Sequence, residues 1–154
     1  MVVHLLWIVN KSGQLIYNHT FTSKDKLGDI GLSGDRQVTV ASVLYGLHGM
    51  SRQIAPVPAD VMDCDGMSLV EGTDHNLHIF ETVTGVKFVL LSDTDLSSCD
   101  AILSEVYQLY VDFVLKNPFY TLDNSGIGQP IRFPAFTSLV EATVTRYNEP
   151  PIKK

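Results

Sequence analysis

The chain has 154 residues, 45% of them hydrophobic and 18% charged, which suits one globular domain with a real core and excludes intrinsic disorder. Its 11 basic residues against 17 acidic ones leave a formal net charge of -6, which argues against nucleic acid or a bare anionic membrane as partner. Cys64 and Cys99 form no C-x-x-C pair and read as reduced thiols of a cytosolic protein.

In chain order, residues 2 to 9 are almost continuously apolar, the mark of a strand covered on both faces. The opening has neither a basic start nor a small-residue cleavage site, so it does not read as a signal peptide, and no stretch approaches the length of a membrane span. Asn10-Lys11-Ser12-Gly13 is a turn into a second strand at Gln14 to Tyr17, giving a hairpin. Thr22 to Gly34, with Gly28, Gly31 and Gly34, reads as a surface loop.

The period then becomes helical from Asp35 to about Ile54, carried by Val40, Val43, Leu44, Leu47 and Ile54 and stopped by Pro56. Gly46 and Gly49 inside this helix cost about 1 kcal/mol each relative to Ala, a cost that accompanies close approach by another element. Three strands follow at Met67 to Glu71, Asn76 to Thr82 and Val86 to Ser92, the last again central in character. Ser97 and Asp100 resemble a capping box. Ile102, Val106, Leu109, Tyr110, Phe113 and Val114 carry the helix onward to the stop at Lys116-Asn117-Pro118, since proline bars the preceding residue from the α region. Residues 123 to 134 form a Gly/Pro loop before a last helix from Phe136 to Tyr147. The order ββαβββαα predicts an α/β sandwich with a mixed five-stranded sheet, helix one on one face and two helices on the other. Residues 1 to 148 are expected to form one domain, and 149 to 154 a short tail.

The search for chemistry yields no catalytic group. Gly31-Leu32-Ser33-Gly34 has the wrong spacing for a nucleophile elbow, and the three loop glycines match neither G-x-G-x-x-G nor a P-loop. Asp63-Cys64-Asp65-Gly66 lacks the ligands of a calcium loop and reads as a turn. His75 and His78, near Asp74, lie three apart in a strand and so point to opposite faces, which argues against a shared metal. No metal, cofactor or catalytic residue is expected.

Two segments are recognisable. NLHIFETVTGVKFVLLSD and DAILSEVYQLYVDFVLKNPFYTL, together with the opening VNKSGQLIY, resemble the synbindin family of small subunits of the TRAPP vesicle-tethering complex. The likeness is most specific at Thr84, Gly85, Lys87 and Phe88 and at Lys116, Asn117, Pro118, Phe119 and Tyr120. It implies a longin-like (profilin-like) fold and a non-catalytic subunit that pairs with a second longin-like TRAPP subunit. The complex would act as exchange factor for a Rab-family GTPase in ER-to-Golgi transport, peripheral at endoplasmic reticulum and cis-Golgi membranes, with membrane contact only through partners. Some synbindins carry a PDZ-like insertion between strand two and helix one; Thr20 to Gly34 is too short to hold it, so a peptide-binding role does not carry over.

For partner contact the sequence points to helix one, at Val38, Ser42, Tyr45, Gly46, His48, Gly49 and Arg52, with Tyr45, His48 and Arg52 expected to be exposed beside the two glycines. Tyr120 is expected to pin the loop after Pro118 to the domain, and Phe119 to serve either that role or a neighbouring subunit. Two alternatives stand beside this reading: another longin-like trafficking subunit such as a small adaptor chain, and a small-ligand-binding α/β domain using the Gly28 to Gly34 loop.

Overall fold

A computed structural model describes residues 2–22, 34–54, 66–94, 99–121 and 129–148. Five strands, β1 (Val3–Val9), β2 (Leu15–Thr20), β3 (Leu69–Glu71), β4 (His75–Glu81) and β5 (Lys87–Asp93), form one sheet in the order β2-β1-β5-β4-β3. The helices are α1 (Gly34–Ile54), α2 (Asp100–Tyr110) and α3 (Pro134–Asn148). Every strand pairing is antiparallel, so the sheet is not the mixed one expected from sequence. Strands joined by short turns must run antiparallel. The β1-β2 hairpin and the β3-β4-β5 meander then meet with β1 and β5 in opposite directions, which leaves no parallel pair among the described residues.

β1 and β5 are the central strands that their nearly continuous apolar runs suggest. All seven residues of β1 are buried. On one face Val3, Leu6, Ile8, Phe88 and Leu90 pack under α2 and α3, with Ile102, Val106, Tyr110, Phe136, Val140 and Val144 completing the main core. On the other face Leu5, Trp7, Val9, Ile79 and Val89 meet Ala41 of α1, flanked by the half-buried Val40, Leu44 and Tyr45. One helix therefore covers one face and two the other, as the element order requires.

Local chemistry sets the boundaries. The β4-β5 turn closes through Gly85 at φ +84, the left-handed region that favours glycine, and Thr82 accepts the Val86 amide on its hydroxyl at 3.1 Å. α2 is capped by Cys99, whose side chain makes no capping hydrogen bond; Ser97 of the expected capping box lies outside the described residues. After Tyr110 the helix widens into a π turn over Val111–Leu115, where the Lys116 amide bonds the Val111 carbonyl at 3.1 Å. The extra residue turns Val114 into the core and leaves Phe113 at the surface, so Phe113 does not belong to the buried helix face expected of it. No helix among the described residues is long and apolar enough to cross a membrane.

Candidate interaction surface

A buried ionic cluster fixes α1 to the sheet. Glu81, at the end of β4, receives the Lys87 ammonium at 2.9 Å, His48 Nε2 at 2.7 Å and the Arg52 guanidinium at 3.2 Å. His48 is only 2% exposed, and its Nδ1 lies 3.1 Å from the Met67 carbonyl oxygen, so both ring nitrogens face oxygen acceptors. Lys87 also sits over the Tyr45 ring at 4.5 Å, while the Tyr45 hydroxyl donates to the Lys11 carbonyl at 2.7 Å. Burial alone would raise the Glu81 carboxyl, but hydrogen bonds donated by Lys87 and His48 outweigh it and hold its pKa below the usual value. Gly66, at φ +75, closes the cluster, because a Cβ there would stand 2.8 Å from Arg52 Cγ and 2.9 Å from His48 Cε1.

These contacts correct the exposure expected of Tyr45, His48 and Arg52. Tyr45, His48 and Arg52 do not line an exposed face of α1; they lie one turn apart along its inner side and bind the sheet. The outer side presents Val38, Ser42, Gly46 and Gly49, as expected, together with Val43, Leu47 and Met50, with Ile54 beyond, and no charged side chain between Val38 and Ile54 faces outward from it. Met50 is 63% exposed and Ile54 81%. Val43, Leu47 and Ile54, counted from sequence with the helix's apolar periodicity, thus belong to the outer stripe, whereas Val40 and Leu44 turn inward. Nothing in the described chain comes within 4 Å of a Cβ built on Gly46 or Gly49, so the close approach that these glycines permit is not made within the molecule. The hollow beneath α1, lined by Val9, Ala41, Leu44, Ile79 and Val89, has no room for a ligand.

The recognisable motif residues mostly build the fold. Thr84 bonds Thr82 through their hydroxyls at 2.9 Å, Gly85 makes the turn, Lys87 neutralises Glu81, and Phe88 is fully buried with its ring edge-to-face on Tyr110 at 5.4 Å. Lys116 pairs with Asp112 at 2.6 Å. Asn117 accepts the Phe119 amide on its side chain at 3.0 Å and the Tyr120 amide on its carbonyl at 3.1 Å, a turn for which Pro118 fixes φ. Tyr120 lies edge-to-face on Phe133 at 6.0 Å and donates to the Gln129 carbonyl at 2.8 Å, so it anchors the loop to the domain. Phe119 is 87% exposed and anchors nothing within the described chain. The Gly28 to Ser33 part of the glycine-rich loop and Asp63 to Asp65 lie outside the described residues.

An antiparallel five-stranded sheet between one helix and two is a longin-like α/β architecture, here with an uncharged apolar helix face turned outward. The chain belongs to the Sybindin-like family, whose model matches residues 3–147. It is 32% identical to trafficking protein particle complex subunit 4 of Dictyostelium discoideum, over 80% of this chain and 85% of that one. The human protein of the same name is also 32% identical, over 72% of this chain, but the chain spans only 47% of its length. Trafficking protein particle complex subunit 1 of Dictyostelium discoideum is 27% identical, over 77% of this chain and 81% of its own. Among solved structures, Myxococcus xanthus MglB aligns with TM-score 0.46 at 17% identity over 69% of this chain and 76% of that one, too slight a likeness to carry weight.

Proposed function

We propose that the chain is a non-catalytic subunit of a TRAPP-type tethering complex, and that it joins the complex through the outer face of α1. The observation that carries this reading is the uncharged stripe Val43, Leu47, Met50 and Ile54, flanked by two glycines that leave room for a second helix. Burying the exposed half of each of these four side chains would contribute about 1 kcal/mol per residue. The occupant is a second longin-like subunit of the same assembly, in keeping with the names of the relatives.

The complex then acts on a Rab-family GTPase in ER-to-Golgi transport, at the cytoplasmic surface of endoplasmic reticulum and cis-Golgi membranes. Exchange of this kind requires no nucleophile. A surface that binds the nucleotide-free GTPase more tightly than the loaded one lowers nucleotide affinity by that difference. The test is purification of the tagged chain from its native cytosol, wild type and Met50→Asp, with partners identified by mass spectrometry. Small TRAPP-like subunits should come with the wild type in stoichiometric amounts and be lost from the variant. Recovery of the wild-type chain alone, under conditions that keep other assemblies intact, would refute the subunit reading.

A further inference from the structure

At the end of the sheet opposite Glu81, three strands bring together three metal-ligating side chains that are far apart in sequence. His4 of β1, His75 of β4 and Asp93 of β5 each place one ligand atom within 4.8 Å of the other two. The topology produces this convergence. His75 and Asp93 are directly paired across β4 and β5, and the register irregularity between Val3 and Leu5 sets His4 beside them. The two imidazoles meet edge-to-face at 5.2 Å.

The hydrogen bonding around the group is incomplete in a way that points to a ligand. His4 Nε2 lies 2.6 Å from Asp93 Oδ1 and its Nδ1 lies 2.9 Å from the Thr22 hydroxyl. His75 Nδ1, by contrast, is shielded from solvent and has no hydrogen-bond partner among the described residues. A buried ring nitrogen without a partner is costly unless something else uses its lone pair. Two imidazole nitrogens and a carboxylate form the donor set suited to a borderline divalent ion, and Asp93, with a third of its side chain exposed, leaves a side open for a water as fourth ligand.

We propose that His4, His75 and Asp93 bind one divalent transition-metal ion of the zinc class. Thr22 supports either state, since a hydroxyl can donate to Nδ1 or accept from it. With metal bound, His4 Nδ1–H donates to Thr22 and frees Nε2 for the ion, the arrangement that orients metal-bound histidines generally. Bound metal would tie β1, β4 and β5 together at their shared end and stabilise the folded chain by mass action.

The experiment is zinc titration of the purified full chain carrying Cys64→Ser, to remove a competing thiol, against a chromophoric chelator. The expected result is one equivalent bound, a zinc-dependent rise in melting temperature, and affinity at least about 10-fold weaker in His75→Gln and in Asp93→Asn. His19→Gln, outside the group, should bind as tightly as the parent. In parallel, ring-nitrogen NMR of the parent chain should show the His4 and His75 resonances moving with one equivalent of zinc, a readout that needs no variant to fold. Absence of stoichiometric uptake at micromolar protein, binding unchanged in both variants, or unmoved His4 and His75 resonances would each overturn the proposal and leave a hydrogen-bonded His-Asp clamp.

Discussion

Lys87, His48 and Arg52 converge on Glu81, and both its own side chain and that of Lys87 are largely buried. Glu81→Gln should destabilise the chain by about 3 kcal/mol, because it strands the Lys87 ammonium in a site that water scarcely reaches. Denaturant midpoints read the loss directly. The Glu81 pKa is depressed in the folded state, so its contribution is present in full above the unfolded value of 4.5 and is lost as pH falls through the folded value. His78 acts earlier on the same axis. Burial holds its imidazole below 6.5, against the pull of Asp100, so the unfolded chain takes up its proton first and stability begins to fall once pH drops below 6.5. Stability measured against pH should therefore decline in two stages, and Glu81→Gln should flatten only the lower one. Tyr110 offers a test of opposite sign. Its hydroxyl is buried without a partner among the described residues and its pKa is pushed up to about 12, chiefly by burial. Tyr110→Phe should stabilise the chain by about 1 kcal/mol in the same denaturation experiment, and a loss of stability would reveal a partner for that hydroxyl.

At the scale of elements, the role proposed for α1 can be tested separately from folding. Gly46→Leu replaces a poor helix former at a position with nothing within 4 Å of its Cβ, so the variant chain should gain about 0.8 kcal/mol of stability. The same leucine blocks close approach from outside. A higher melting temperature together with failure to co-purify with partners is the expected pair of results, and retained assembly would clear this face of the role proposed for it. The two sides of this helix also show where sequence reading stops. Strand existence and the central character of β1 and β5 are legible, because a run such as Val86 to Leu91, interrupted only by Lys87, has few other stable settings. The direction in which α1 faces is not legible, because the helix is apolar on two sides and its polar inner residues look like surface ones. Tyr45, His48 and Arg52 fall on one side at helical spacing, a signal that marks a shared environment but not which one. Only the pairing of β4 with β5, which sets Glu81 beside Lys87, identifies it as internal. The partnership of His4 with Asp93 is hidden in the sequence for the same reason: it exists only once β1 and β5 are neighbours.

Across the whole molecule the two faces of the sheet are held unequally. α2 and α3 cover a continuous core from Val3 to Val144, whereas α1 rests on a smaller cluster and the Glu81 ion group, with only Ala41 and His48 fully buried along its 21 residues. Elements with few buried apolar contacts open at lower free energy than the core, so α1 should unfold locally before β1 and β5 do. Hydrogen exchange on the isolated chain should show α1 amides exchanging well ahead of those in β1 and β5. In the assembled complex the same amides should slow markedly, since a partner on Val43, Leu47 and Met50 makes opening of α1 require dissociation. α1 amides as slow as those of β1 in the free chain would mean that the helix gains nothing from a partner. Unequal protection that assembly leaves unchanged would place the interface elsewhere, with the exposed Phe119 and Phe113 the next surface to probe.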